Sequence, residues 1–245
     1  MRVSRFFVDA PLQAGARVRL PEPAATHLVR VLRASAGDAC VLFNGDGRDY
    51  SARIVTAGKR DALVEIVDGR DIGNESPLRL TLLQSLARGE KMDLVLQKAT
   101  ELGVAGFVPV ASERSEVRLE GERVDKRVAH WRNVVVAACE QSGRARVPGL
   151  SAPLPLAQAL TALDAGSRRL LLDPGGACAV GALTVPPGAG VVLAIGPEGG
   201  WSPRDRATLA EAGFEGVRLG PRILRTETAG IAAIAVLQAL HGDFR

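Results

Sequence analysis

The stretch "LAIGPEGGWS", residues 193–202, places three glycines and a proline directly after an apolar run. Glycines behind a strand indicate a backbone that has to approach another group closely. Their spacing differs from the dinucleotide fingerprint G-x-G-x-x-G and from the phosphate loop G-x-x-x-x-G-K-[ST]. Taken alone, this stretch is explained about equally well by a tight strand-to-helix turn and by a ligand site.

A second glycine turn, Gly220–Arg225, follows the predicted strand "FEGVRL" at 214–219. The first turn leads into a helix capped by Ser202, and the second leads into a helix starting at Thr226 or Thr228. We expect the two strands to be parallel neighbours, and ligands of open α/β sheets bind at the carboxyl edge. The two turns together therefore favour a ligand pocket.

The chemistry of the two turns restricts the ligand. Neither turn supplies a lysine for a triphosphate, and no acidic pair suggests magnesium. A ligand with an adenine or ribose and no phosphate chain fits better, and a branched side chain at Gly199 is expected to block it. Cys40, Cys139 and Cys178 are far apart, and the three histidines show no metal spacing, so no disulfide framework or metal site is predicted.

Strands and helices alternate from residue 78 onward, which predicts a parallel sheet with helices on both faces. The earlier residues are mostly β, with a hairpin signal at 44–47 and one short helix in "PAATHLVRVLRAS". The segment 71–77 is polar and rich in turn residues. We therefore predict an α/β protein with a barrel-like β domain at 1–72 and a second domain at 73–245.

Composition indicates an anionic partner. The 245 residues carry a formal net charge of +4, and 27 of the 31 basic residues are arginine, which fits nucleic acid. An arginine-rich proteome would give the same count. The sequence shows no signal peptide and no apolar run of membrane-spanning length, so a soluble cytoplasmic protein is expected.

The last helix carries no charged residue from Ala229 to Leu240. A helix that is apolar all round is buried in a core or against another subunit. We expect Ile231, Ile234 and Leu237 to lie in or beside a two-fold interface.

Three short polar motifs are candidates for chemistry: "LRTET" at 224–228, "EQSGR" at 140–144 and "SERSE" at 112–116. Arg225 in the first is placed to orient a substrate base or polarise a carbonyl oxygen, or else to form a cap with a local ion pair. The second motif, taken alone, is better explained as an ordinary polar helix end.

The motifs "IGPEGGWS" and "LGPRILRTETA" together resemble the cofactor-binding end of the SPOUT methyltransferases. Within that superfamily the chain resembles the RsmE family, whose members methylate N3 of one uridine in small-subunit ribosomal RNA. The similarity runs nearly end to end, through "RFF", "HLVRVLR", "RGEKMDLVLQKATELGV", "SERS" and "AACEQSGRARVP". Trp201 departs from the pattern, because the family commonly has a smaller apolar residue there.

The resemblance implies a deep trefoil knot near residues 170–240, a PUA-like RNA-binding β-barrel at the N-terminus and a homodimer formed through the knot region. It also implies S-adenosylmethionine as the cofactor, no metal, and 16S ribosomal RNA or the assembled small subunit as the partner. Carried over by motif, the cofactor-binding residues are Leu172, Asp173, Pro174, Ile195, Gly196, Pro197, Glu198, Gly199, Gly200, Leu219, Gly220, Ile223, Leu224, Arg225, Thr226 and Ala229.

For the chemistry we assign Arg225 to the uracil carbonyl and Glu140 as proton acceptor, although a carboxylate is a poor base unless burial raises its pKa. RNA contacts are expected at Arg5, His27, Arg30, Arg33, Arg88, Lys91, Arg114 and Arg144. Two alternatives stay open: another SPOUT activity such as ribose 2′-O-methylation, and a non-enzymatic RNA-binding protein. The PUA-like N-terminus and "EQSGR" favour base methylation of ribosomal RNA.

Overall fold

A computed structural model describes residues 3–58 and 60–244. They form two compact units. The first consists of the chain up to Glu75 together with Cys139–Val147, and the second of Ser76–Ala138 and the chain from Pro148 onward. The polar segment 71–77 had indicated one boundary between two continuous domains. It did not indicate that Cys139–Val147 belongs to the first unit.

The first unit is built on one sheet in the order β1-β3-β4-β5-β2. Strand β1 is parallel to β3, and the other neighbours are antiparallel. The edge strands β1 and β2 do not pair with each other among the described residues, so the barrel-like domain that was expected is a half-barrel. The strands are Arg5–Phe7 (β1), Arg17–Arg19 (β2), Ala39–Phe43 (β3), Arg48–Ala57 (β4) and Ala62–Asp71 (β5).

The short helix predicted in this unit is present in two parts. Helix α1 (Glu22–Thr26) continues directly into a π-helical turn, His27–Val31. Leu28 at 1% exposure anchors the turn in the core of the unit. That core is made by alternate strand residues, among them Phe6, Leu42, Ile54, Val64 and Ile66.

The segment Cys139–Val147 is held in the first unit by packing and by ion pairs. Cys139 and Ala145 form a buried cluster with Phe43. Arg144 pairs with Glu75, and Asn74 donates a hydrogen bond to the carbonyl of Gly143 at 2.9 Å. The "EQSGR" motif therefore has a packed environment and is not merely a solvated helix end.

The second unit contains a parallel sheet in the order β11-β13-β10-β12-β6-β7-β8, with β9 paired to β7. Its strands are Leu80–Ser85 (β6), Gly106–Ala111 (β7), Gly149–Leu150 (β8), Leu154–Pro155 (β9), Arg168–Leu172 (β10), Cys178–Ala179 (β11), Val191–Ile195 (β12) and Glu215–Arg218 (β13). Its helices are Lys91–Glu101 (α2), Leu156–Thr161 (α4), Pro203–Glu211 (α5) and Thr226–His241 (α6). Helix α3 (Glu122–Ser142) ends with the four residues that belong to the first unit.

Helices cover β12 on both faces, as the sequence predicted. All five residues of β12 are buried. Val192 and Ala194 share a core with residues of α4 and α5, whereas Ile195 on the other face lies against Gly230 of α6. Within the described residues, no helix is both long and apolar enough to cross a membrane.

The assignment of the last helix to an interface needs one correction. Ile234 and Leu237 are only 0% and 1% exposed, because they pack into the core of this chain. The half-exposed residues of α6 lie on other positions, including Ile231, Ala232, Ala235 and Val236. A charge at Ile234 would therefore test folding and not assembly.

Candidate cofactor site

A cavity of about 580 Å³ lies at the carboxyl edge of the second sheet. This volume is in the range that ligand pockets commonly have. All sixteen residues expected to hold a cofactor line it, and four further residues join them: Lys91, Trp201, Arg206 and Arg222. Arg206 could have been predicted as a cavity residue from the sequence, because a helix capped by Ser202 places its first turn beside the glycine loop.

Three loops meet at this cavity because of the strand order. We had expected β12 and β13 to be neighbours, but β10 lies between them. The three parallel strands end at the same edge, so their loops, Leu172–Pro174, Ile195–Trp201 and Leu219–Thr226, converge there. The cavity therefore has three walls, two from the glycine turns and a third, Leu172–Pro174, that only the family resemblance had indicated.

A buried chain of hydrogen bonds connects two of these walls. The Thr226 hydroxyl donates to the Gly196 carbonyl at 2.6 Å, and the Gln84 amide donates to the Thr226 hydroxyl at 3.1 Å. Gln84 lies on β6 with 0% exposure, and its amide also donates to the Ser85 carbonyl. Thr226 thus couples the start of α6 to the first glycine turn, and Gln84 orients Thr226.

The glycines of the first turn have separate reasons to be glycine. A Cβ on Gly196 would lie 3.1 Å from the Trp201 indole, and Gly200 has a φ of +67°. A Cβ on Gly199 would point toward Arg114, at an ordinary contact distance of 3.5 Å. A side chain at Gly199 would therefore contact Arg114 first.

The two carboxylates of the cavity are both paired with cations. Asp173 pairs with Arg206, and Glu198 pairs with Lys91 at 2.9 Å. Desolvation raises the pKa of Glu198, but hydrogen bonds from Lys91 and from the backbone N–H groups of Glu198 and Arg88 outweigh it and lower the pKa. Glu198 is therefore an anion that fixes the loop and not a proton acceptor near neutral pH.

Comparisons with known proteins agree with this geometry. A family model described as an RNA methyltransferase domain matches residues 74–238, and one described as an RNA methyltransferase PUA domain matches residues 20–67. Ribosomal RNA small subunit methyltransferase E of Mycobacterium tuberculosis is 31% identical over 96% of this chain and 91% of its own length. The chain belongs to the RsmE family.

Solved structures of related proteins contain a ligand. A crystal structure of the RsmE of Neisseria gonorrhoeae bound to S-adenosylmethionine is 43% identical, covers 100% of both chains and superposes with a TM-score of 0.94. A structure from Legionella pneumophila with SAM as bound cofactor is 37% identical over 99% of this chain and 100% of its own, also with a TM-score of 0.94. The chain is accordingly an RNA methyltransferase with an N-terminal PUA-like domain.

In this RsmE chain Arg225 is a cavity residue without a structural partner. Its side chain is exposed, and no ion pair of Arg225 occurs within 3–58 and 60–244. It is the N-cap residue of α6 but makes no side-chain capping bond, and a cation at a helix N-terminus opposes the helix dipole. Helix stability therefore does not explain an arginine here.

Glu140 lies in the first unit of the RsmE chain, whereas the cavity lies in the second. Its carboxylate accepts a hydrogen bond from the Phe7 N–H at 2.9 Å. Desolvation raises the pKa of Glu140, against the opposing effects of that hydrogen bond and of the positive charges of His27 and Arg5. The burial that a carboxylate needs to become a better base is present.

The residues expected to contact RNA fall into three groups. Arg5 and Arg144 are buried in ion pairs with Asp49 and Glu75, so their charges are already used inside the first unit. Three residues of the second unit are paired or hydrogen-bonded: Arg88 with Glu116, Lys91 with Glu198, and Arg114 with the Gly199 carbonyl. His27, Arg30 and Arg33 are exposed in the first unit.

Proposed function

We propose that this RsmE-family chain binds S-adenosylmethionine in the three-loop cavity and methylates N3 of a uridine in 16S ribosomal RNA, in the cytoplasm where subunits are assembled. The observation that supports it most directly is the cavity itself, which collects every residue that the motif resemblance assigns to the cofactor. We further propose that the 170–240 region is threaded as a deep trefoil knot. The PUA-like unit would hold the RNA.

The residues of the cavity fit this cofactor. Leu172, Ile195, Leu219, Leu224 and Ala229 supply apolar walls for an adenine and for the methylene groups of the methionine chain. The glycine turns supply backbone N–H and C=O groups, and Asp173 and Glu198 supply acceptors for hydroxyl or amino groups. When bound, S-adenosylmethionine supplies an electrophilic methyl group on a sulfonium.

The residues of the chain have two tasks in the reaction. Arg225 lies in the cavity wall and stabilises the negative charge that develops on a uracil oxygen when N3 loses its proton. Our proposal for the proton acceptor is Glu140, on the ground of its raised pKa; a carboxylate must be ionised to accept a proton, so the activity is expected to fall as the pH drops through this pKa. Holding the two reactants aligned contributes up to about 7–11 kcal/mol to lowering the barrier.

The link through Thr226 gives a prediction for cofactor binding. Thr226→Val keeps the shape but removes the hydroxyl, so the Gly196 carbonyl loses its donor. We expect affinity for S-adenosylmethionine to fall about tenfold, or about 1.4 kcal/mol, by calorimetry. Thr226→Ser retains the hydroxyl and should bind within about twofold of wild type, which is the size of a few tenths of a kcal/mol. Equal affinities for the valine and serine variants would contradict the link.

We also propose a homodimer formed through the knot region. Its support is a set of exposed apolar side chains: Ile223 on the cavity loop is 86% exposed and Leu240 on α6 is 38% exposed. Ala232, Ala235 and Val236 of α6 are partly exposed. Surfaces of this kind mark association sites more often than solvated faces.

The dimer is tested by a charge on the half-exposed face of α6. We expect Val236→Glu to sediment as a monomer while the wild type sediments as a dimer, because the carboxylate would be buried against the partner. Val67→Glu is the matched control, since Val67 is 56% exposed on the sheet of the first unit. A dimeric Val236→Glu protein would exclude this face from the interface.

The function itself is tested by mass spectrometry of 16S ribosomal RNA from a strain that lacks the gene, with and without the gene restored. Loss of one base-methylated uridine is the expected result. Loss of a ribose 2′-O-methyl group would indicate the other SPOUT activity. Calorimetry with S-adenosylmethionine separates both from a non-enzymatic RNA-binding protein, which would release no heat.

A further inference from the structure

Four consecutive residues at the end of the π-helical turn project from the first unit. Arg30, Val31, Leu32 and Arg33, here called the RVLR tip, are all exposed. Val31 is 64% and Leu32 40% exposed, although Leu28 of the same turn is buried. Two adjacent large apolar side chains in solvent contribute nothing to the packing of this unit. Their placement therefore indicates a partner outside it.

The backbone holds the tip in one shape. Arg33 has a φ of +56° and is the one non-glycine residue with a positive φ in the described parts of the chain. The Ala34 N–H bonds to the Leu28 carbonyl and the Leu32 N–H to the His27 carbonyl, both at 3.1 Å. Such a conformation is kept only where its surroundings enforce it, and it is enriched at binding sites.

The charges of the tip are not neutralised within the first unit. Six other arginines of the unit each pair with a carboxylate: Arg5, Arg17, Arg19, Arg48, Arg60 and Arg144. Arg30 and Arg33 have no carboxylate partner among the described residues, as is also true of Arg53, Arg70 and Arg146. The tip therefore presents two unneutralised cations, one on each side of an apolar pair.

We propose that the RVLR tip docks on the RNA substrate as one element. Arg30 and Arg33 contact phosphates, and Val31 and Leu32 pack against the face of an unstacked base between them. RNA offers both features within a few ångströms, since recognition of RNA uses splayed bases and backbone phosphates, and apolar side chains serve as wedges at base steps. The proposal rests on the proposed function, because it takes the RNA substrate as the partner.

The test separates the apolar from the ionic contribution. Binding of an in vitro transcript of 16S ribosomal RNA is measured over a salt series for V31S/L32S and for R30A/R33A. We expect V31S/L32S to bind about tenfold more weakly with an unchanged salt slope, because no phosphate contact is lost. R30A/R33A should flatten the slope by about 1.4–1.8 units, at roughly 0.7–0.9 per contact.

Two controls make the result specific to the tip. Val67→Ser removes another exposed apolar side chain from the same unit and should leave RNA affinity unchanged. All variants should keep wild-type affinity for S-adenosylmethionine, because the cavity belongs to the second unit. Thermal unfolding shows whether any variant has lost its fold.

Three outcomes would overturn the inference. If V31S/L32S binds RNA with wild-type affinity, Val31 and Leu32 do not contact a base. A defect seen only with assembled subunits and not with RNA would assign the tip to a ribosomal protein, and monomers of V31S/L32S would assign it to a second copy. If the wild-type protein does not bind the transcript or the subunit, the proposed function fails instead.

Discussion

Arg225→Ala is expected to lower kcat for methylation of unmethylated small ribosomal subunits by about 10²–10³-fold, the loss seen when one group that stabilises a developing oxyanion is removed. Affinity for S-adenosylmethionine should stay within a few-fold of wild type, because the cavity keeps its three loops. The reason is that Arg225 lies in the cavity wall at the start of α6 and has no structural task there.

Matched variants decide whether the effect belongs to this guanidinium. Arg222 is a second exposed arginine of the same cavity, and Arg222→Ala removes the same charge nearby. Arg225→Lys retains the charge without the planar fork and should recover part of the rate. Equal losses for Arg222→Ala and Arg225→Ala would indicate general attraction of RNA, and a near-wild-type rate for Arg225→Ala would remove its catalytic assignment.

The elements around the cavity could be predicted because their signals are local. Ser202 and Asp205 form the reciprocal capping box that the sequence before α5 suggests, and the strand β12 is a continuous apolar run. The loops after β10, β12 and β13, which the motif resemblance assigned to the cofactor, line one cavity. The wall formed by Leu172–Pro174 was the least distinct of them in sequence, yet it lines the cavity with the others.

The remaining features could not be predicted because they depend on contacts between distant residues. The placement of β10 between β12 and β13 follows from the folding of the whole sheet. Arg5 pairs with Asp49, and Arg144 pairs with Glu75, across 44 and 69 residues of chain. No local pattern distinguishes such buried arginines from exposed ones, which is why Arg5 and Arg144 were grouped with Arg30 and Arg33.

Gly176 makes a very close contact with a residue that is distant in the sequence, and its substitution should have the largest effect on stability. A Cβ on Gly176 would lie 2.5 Å from the Val217 carbonyl carbon in β13. Both partners are backbone, so neither can rotate away. Asp173 is tied to the same place, since its N–H donates to the Val217 carbonyl at 2.8 Å. Gly176→Ala would therefore lift the loop that carries Asp173 and Pro174 away from β13.

We expect Gly176→Ala to destabilise the second unit by about 3 kcal/mol, the upper part of the range for overpacking, because the backbone of β13 cannot yield. Its melting temperature should fall by about 6–12 °C at roughly 2–4 °C per kcal/mol. Tryptophan fluorescence reports on this unit, since Trp131 and Trp201 both lie in it. Gly175→Ala is the control, because a Cβ there would meet only the Asp173 side chain, at 3.6 Å. If both alanine variants melt like the wild type, the loop after β10 does not lie against β13 as described. The placement of Leu172–Pro174 in the cavity wall would then be contradicted.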